Sequence, residues 1–181
     1  MRFALSAAAL AAAVLAAPLA HAQSTFRLEA AVGSSKLSDE FSTLSDRATA
    51  VGLIGRTTYP SGLGWEVGVR GHGEWVFSDG INTVRPDATS YQVGLTYDLP
   101  VGPVTLGARI GAHAWRLRGN VVGAGSTLVG RFEDSGGGLY HALGARYDVS
   151  DRLGVGAYYT VYRLGDGLRV QGLDLRLSYA F

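Results

Sequence analysis

The sequence predicts an all-β chain: an eight-stranded antiparallel transmembrane up-and-down β-barrel, preceded by a cleaved signal peptide. Three observations carry this expectation. After residue 23, apolar residues alternate with polar or glycine residues at period two, and no 3.6-residue pattern is sustained. Tight and long connections alternate along the chain. The polar face of the expected strands is also the glycine-rich face.

The leader comes first. Arg2 gives a positive start, Ala7 to Ala17 is an apolar run containing Leu10, Val14 and Leu15, and Ala20-His21-Ala22 supplies small residues for cleavage. A spanning helix needs roughly 18 or more strongly apolar residues, and this run is shorter and mostly alanine. Residues 1–22 are therefore expected to be removed, leaving 23–181 as one domain.

Strands are expected at about 25–35, 47–59, 63–77, 88–99, 104–117, 138–149, 152–163 and 168–181. Each is long enough to cross the hydrocarbon when tilted, which takes about 9 to 11 residues. Pro60-Ser61-Gly62, Pro100-Val101-Gly102-Pro103 and the Asp148 to Asp151 turn are tight. Loops at about 36–46, 78–87 and 118–137 are longer and rich in Ser, Gly, Asp and Asn, while Gly165-Asp166-Gly167 is short. Short turns at one end and longer loops at the other put both chain ends on the periplasmic side.

Period two defines two faces without saying which meets solvent, so a soluble lipocalin-like barrel is the competing architecture. The third strand sets Trp65, Val67 and Val69 against Glu66, Gly68, Arg70 and His72, and the fourth sets Tyr91, Val93, Leu95, Tyr97 and Leu99 against Gln92, Gly94, Thr96 and Asp98. The seventh sets Leu153, Val155, Ala157, Tyr159 and Val161 against Gly154, Gly156, Tyr158 and Thr160. The last opposes Leu173, Leu175, Leu177, Tyr179 and Phe181 to Gly172, Asp174, Arg176, Ser178 and Ala180. An eight-stranded barrel barely holds its own side chains, so the face alternating glycine with long residues is expected inside and the apolar face against lipid. Tyr59, Trp65, Tyr97, Tyr147, Tyr179 and Phe181 near the tight turns, with Trp75, Phe77 and Tyr91 near the long loops, form two expected interfacial girdles.

This register points Arg27, Arg56, Arg70, Arg109, Arg146 and Arg176 inward together with Glu29, Glu66, Glu74, Asp98, Asp148 and Asp174. A lone charge in a narrow lumen costs several kcal/mol, whereas interleaved arginines and carboxylates satisfy one another. A plugged interior is expected rather than an open pore.

Composition excludes several function classes. Without the leader's Arg2 the chain holds 15 basic and 15 acidic residues, a balance that gives no support to a nucleic-acid partner. Fourteen of the 15 are arginine, the better residue for fixed, multiply hydrogen-bonded ion pairs. The absence of cysteine rules out disulfides, thiolate zinc sites and cysteine nucleophiles. His72 and Glu74, with His113 on another strand, fit satisfied interior polar residues better than a metal site or proton relay, and no metal or cofactor is expected. His141 faces lipid near the loop end, with Glu133, Asp134 and Ser135 just upstream, which raises acyl transfer on lipid as an alternative; nothing in the sequence fixes a nucleophile beside it. The Gly123-Ala124-Gly125-Ser126-Thr127 and Gly136-Gly137-Gly138 stretches lack the lysine and following helix of a phosphate-binding loop.

The run Leu143-Gly144-Ala145-Arg146-Tyr147-Asp148-Val149-Ser150-Asp151-Arg152-Leu153, followed by a strand ending in Leu177-Ser178-Tyr179-Ala180-Phe181, resembles the outer-membrane β-barrel family of the OmpA transmembrane domain and OmpX. The likeness spans residues 23–181. It implies an outer-membrane location, contact with outer-membrane lipid and lipopolysaccharide, and recognition of Tyr179 and Phe181 by the outer-membrane assembly machinery. It also implies roles in envelope integrity, adhesion or surface interaction, with any extracellular ligand held by the loops, and it carries over no catalytic residue. No peptidoglycan-binding domain follows, so wall anchoring is not expected, and the very short last loop weakens an adhesin reading. Lipid A deacylase and palmitoyltransferase barrels share the architecture, but their His-x-Ser pattern is missing at His141-Ala142-Leu143. The expected function is a non-enzymatic outer-membrane barrel, with a lipid-modifying enzyme or a small channel as alternatives.

Overall fold

The computed structural model describes residues 24–39, 45–78, 81–123, 127–165 and 167–181. The expected leader, 1–22, and parts of the loop regions lie outside the described residues. The chain forms β1 (Thr25–Asp39), β2 (Ser45–Thr58), β3 (Leu63–Glu74), β4 (Phe77–Ser78), β5 (Thr83–Val101), β6 (Val104–Val122), β7 (Leu128–Asp148), β8 (Leu153–Arg163) and β9 (Leu168–Ala180). All neighbours pair antiparallel. The two-residue β4 continues the line of β3 along β5, and the β3–β5 and β1–β9 ladders close an eight-stave up-and-down ring.

Side-chain alternation settles which face is which. Leu95, Leu143 and Leu175 on the outer face are 66%, 65% and 65% exposed, whereas inward-pointing Arg56, Glu66 and Asp174 are each 0% exposed. A soluble barrel would have these values reversed, since exposed leucines on this scale are stable only against lipid. The lipocalin-like alternative is thereby excluded.

Inward glycines make room for large inward rings. Gly94, Gly111 and Tyr140 lie side by side on β5, β6 and β7, and a Cβ on either glycine would collide with the Tyr140 ring or hydroxyl. Gly107, Gly144 and Tyr158 repeat the arrangement on β6, β7 and β8. The glycine-rich face is therefore the crowded one.

The wall has unequal height. β5, β6 and β7 run 19, 19 and 21 residues, but β8 has 11. The β7–β8 ladder starts only at Tyr140 opposite Tyr162, so residues 128–139 of β7 rise beyond β8 with one edge unpaired by it. This corrects the expected loop at 118–137: most of it is a β6–β7 ribbon that continues the barrel ladder, and the expected 36–46 and 78–87 loops are likewise shortened by strand. Glycines hid the ribbon from a propensity reading, yet the Phe132 ring covers Gly119 directly across the ladder, supplying the contact that glycine lacks.

A bulge corrects the third strand. Gly71 pairs Thr89 and Glu74 pairs Asp87, so β3 carries one extra residue there, with Gly73 at φ 79°. The added residue inverts the alternation beyond it. His72 and Trp75 both point inward and are 0% exposed, Phe77 packs on the same inner cluster, and Glu74 turns outward to Arg85 at 3.6 Å. Glu74 thus leaves the expected interior charge set, and Trp75 and Phe77 leave the expected girdle.

Gly73→Val is expected to destabilise the barrel by about 1–2 kcal/mol or more, because an L side chain resists this backbone region and its Cβ would meet Thr49 and Ala48. The measurement is the urea midpoint of the folded, heat-modifiable gel band. Gly71→Ala, where a Cβ meets nothing nearer than Val51 at 3.9 Å, should leave that midpoint near the parent value.

Candidate functional site

The lumen is filled by one connected set of ion pairs. Arg27 contacts Asp148 at 3.4 Å, Asp148 contacts Arg146 at 2.9 Å, Arg146 reaches Asp98 at 3.2 Å, and Arg56 donates to Asp98 at 2.8 Å. Arg56 also lies 3.3 Å from Glu29, which accepts from Arg109 at 3.0 Å and from Arg176 at 3.2 Å. Arg109 then binds Glu66 at 2.5 Å, and Arg176 lies 3.5 Å from Asp174, the partner of Arg70. Six arginines and five carboxylates from seven staves form a single chain of charge, with Glu29 joined to three guanidinium groups. Such pairing offsets a desolvation cost that amounts to several kcal/mol for each buried ion.

Neutral polar and aromatic groups complete the set. Gln92 donates to Glu66 at 2.8 Å, Tyr140 donates its hydroxyl to Glu66 at 2.7 Å, and Tyr162 donates to the Gln92 side-chain oxygen at 2.6 Å. The Tyr158 ring lies between the guanidinium carbons of Arg109 and Arg176, 4.2 and 4.4 Å from its centroid. Sequence reading passed over Gln92, Tyr140 and Tyr162 as network members and gave Tyr158 no role. The available signal was the glycine pair opposite each of Tyr140 and Tyr158, legible only once register is known.

Toward the loop end the charge gives way to an apolar and aromatic plug. Leu37, Trp75, Ala88, Trp115, Tyr140, Tyr162, Leu164 and Val170 form one buried cluster. His72 and His113 both meet the Tyr162 ring edge-on, at 4.9 and 5.1 Å. His72 Nε2 lies 2.9 Å from the Ser90 hydroxyl, and His113 Nε2 lies 3.0 Å from the Arg163 carbonyl. The two histidines are thus near one another, while Glu74 points away from them. Among the described residues no group of three His, Asp or Glu side chains is placed to hold a metal.

The outer face carries Tyr59, Tyr91, Tyr97, Tyr147 and Tyr179 exposed and Trp65 half-buried. Phe181, 74% exposed, packs its ring 4.9 Å from Tyr179 and 5.8 Å from Phe26, and its amide donates to the Phe26 carbonyl at 3.0 Å. His141 is exposed on the outer face between Ile110 and Val161. Ser135 lies six residues up the same extended strand, about 20 Å away at 3.3–3.4 Å per residue, so the two share no reaction site. Glu133 is engaged with Arg116 and Arg118, and Asp134 accepts from the Ser135 amide at 2.7 Å.

Comparison with known proteins agrees with this geometry. The family model for the outer membrane protein beta-barrel domain matches residues 5–181. No curated protein sequence matches. Among solved structures, the chain is similar to Ail, the attachment invasion locus protein of Yersinia pestis, in complex with the heparin analogue sucrose octasulfate: 14% identity over 88% of this chain and 99% of that one, with a TM-score of 0.64. Neisserial surface protein A is similar at 17% identity over 86% and 97%, TM-score 0.66. OprG from Pseudomonas aeruginosa is similar at 13% identity over 89% and 97%, TM-score 0.57. At these identities the likeness is one of fold.

Arg109→Leu is expected to cost about 3–5 kcal/mol, since it takes from buried Glu66 its cationic partner, while Glu29 keeps Arg56 and Arg176; Glu66→Leu is expected to cost less, because Arg109 keeps Glu29. Equilibrium unfolding in urea, read by the gel-mobility shift, measures both. Tyr140→Phe, which removes one hydrogen bond to Glu66, is expected to cost only about 1–2 kcal/mol.

Proposed function

The chain belongs to the outer membrane protein β-barrel domain family, and on that premise we propose that it is a non-enzymatic surface-interaction and envelope protein whose interior is sealed and whose protruding ribbon makes the contacts. Its place is the bacterial outer membrane. Residues 1–22 act as the export leader, residues 23–181 are the barrel, and Tyr179 and Phe181 on the closing strand are read by the assembly machinery.

One observation carries this reading: a lumen closed by a continuous ion-pair chain and an aromatic plug lies beneath a β5–β6–β7 wall that stands well above the β8–β9 rim. A sealed lumen leaves no path for solute, so what distinguishes this chain from a bare membrane anchor is its raised outer wall. Outward-facing Arg85, Arg116, Arg118 and Arg131 on that wall stand against Glu74, Asp87 and Glu133, and Arg131 has no carboxylate within ion-pair distance among the described residues, which suits a partner bearing negative charge. The comparison structure of Ail holds a sulfated heparin analogue, a precedent for anionic ligands on a barrel of this fold.

The reading is tested by replacing residues 116–135, which carry Arg116, Arg118 and Arg131, with a two-residue Asn-Gly turn between the paired Trp115 and Gly136 and measuring adherence of intact cells to immobilised heparin. Adherence is expected to fall to the level of cells lacking the protein while the barrel keeps its gel-mobility shift; undiminished adherence would overturn the role of the ribbon. Planar-bilayer recording is expected to show no large steady conductance, and lipid A mass spectra are expected to be the same with and without the protein. A His141-dependent change in acyl chains would favour the enzymatic alternative instead.

A further inference from the structure

Above Tyr140, the edge of β7 that faces β8 is open. β8 meets β7 only from Tyr140 downward, and among the described residues no other strand borders residues 128–137 on that side. Nor does any backbone hydrogen bond among the described residues reach this stretch from outside the β6–β7 ladder. Open edges attract further strands, and proteins that must avoid this place proline or lysine on them. Residues 128–138 contain neither, and Gly136-Gly137-Gly138 puts no side chain in the way of a neighbour.

Symmetry decides which second strand the edge accepts, because the N–H and C=O of one residue point to the same side of a strand. Copies side by side in one membrane are related by a two-fold along the membrane normal. That operation sets the two β7 edges parallel with each residue level with itself, so donors face donors. A copy in a facing membrane is related by a two-fold that lies parallel to the membranes and perpendicular to the sheet. The edges then run antiparallel, and donors meet acceptors.

Charge then selects one register. This two-fold keeps the inner faces of both sheets on one side, so residues that stand opposite must share a face. Phe132 covers Gly119 on the inner face, while Arg131 and Glu133 point outward, opposite Asn120 and Arg118. With Phe132 opposite Phe132 of the second copy, Arg131 stands opposite Glu133 and Glu133 opposite Arg131. The next permitted register in either direction sets Arg131 against Arg131 or Glu133 against Glu133, and like charges directly opposite are destabilising. Within one chain Arg131 has no carboxylate at ion-pair distance among the described residues, so the second copy supplies the partner it lacks. Phe132, 37% exposed, gains an aromatic neighbour across the junction.

We propose that the open β7 edge pairs antiparallel with the same edge of a second copy carried by a facing membrane, joining two β6–β7 ribbons into one sheet centred on Phe132. Phe132 lies eight residues above Tyr140, about 26 Å along the strand, so the junction forms clear of both rims. One junction is a small contact. Many copies on two apposed membranes add their contacts, because each pair formed raises the local concentration of the next. The inference rests on the outer-membrane placement above, and it uses the strand edge of the ribbon, where the anionic partner meets the ribbon's outward arginines.

The test uses protein isolated from outer membranes and reconstituted into phosphatidylcholine vesicles, with vesicle clustering read by light scattering. Parent vesicles are expected to cluster. R131E alone and E133R alone are each expected to lose clustering, because like charges then stand opposite, and mixing the two populations should restore it, since each supplies what the other lacks. The R131E/E133R exchange should cluster as the parent does. The chain has no cysteine, so F132C under mild oxidation should give a disulfide-linked dimer in clustered vesicles. V129C, which this register sets opposite Ser135, should give none. Undiminished clustering by either single variant alone, failure of the mixture, or dimers from V129C but not F132C would each overturn the pairing. Parent vesicles that stay dispersed would overturn it too and leave the edge to a partner of another sequence. Should E133R fail to fold, the two cysteine variants carry the comparison without altering a charge. Heparin capture by the R131E/E133R vesicles, whose net charge is the parent's, reads the anionic-partner proposal separately.

Discussion

Glu29 sits where three guanidinium groups meet, and the rest of the structure depends on that junction. A ring of eight staves encloses a lumen too narrow to hold bulk water around an ion, so each charge pointed inward must find its complement among the others. Arg56, Arg109 and Arg176 converge on Glu29 from β2, β6 and β9, and through them the pairs at Asp98, Glu66 and Asp174 are joined. Because those residues come from strands remote in sequence, the pairing fixes strand register as well as charge. It leaves the apolar face free to be specified by lipid alone.

Room inside the ring is rationed by glycine. Tyr140 and Tyr158 each project over a pair of glycines on the neighbouring strands, and their rings turn what would be gaps into packed contacts with Glu66 and the Arg109 and Arg176 guanidinium groups. Near the loop end the bulge at Gly73 brings Trp75 into the lumen beside His72 and Tyr162, where it closes the barrel with apolar surface. Charge in the centre and rings at the top are two different solutions to one constraint, the exclusion of water from a narrow space.

The two walls differ in height and in electrostatics. β5, β6 and β7 carry the sheet outward as a ribbon whose arginines are interleaved with Glu74, Asp87 and Glu133. The wall of β1, β2, β8 and β9 ends near the membrane edge with basic residues and no outward acid among the described residues.

The sequence by itself determined the strands, the inward arginine and carboxylate set apart from Glu74, and the apolar outer face, because period-two alternation is a local property that barrel closure only reinforces. Glycine alternating with long side chains marked the crowded side of the strands, and so placed the leucine-rich face against lipid. Tertiary structure alone decided that Glu74 turns out while Trp75 and Phe77 turn in, because one additional residue in β3 inverts every position beyond it and leaves no trace in composition. It alone also decided that 128–139 is strand rather than loop, since glycine-rich segments extend there only by adding to a ladder that other parts of the chain have already built. And it alone placed Lys36 opposite Arg47, for a cross-strand neighbour is a property of register, which no single strand contains.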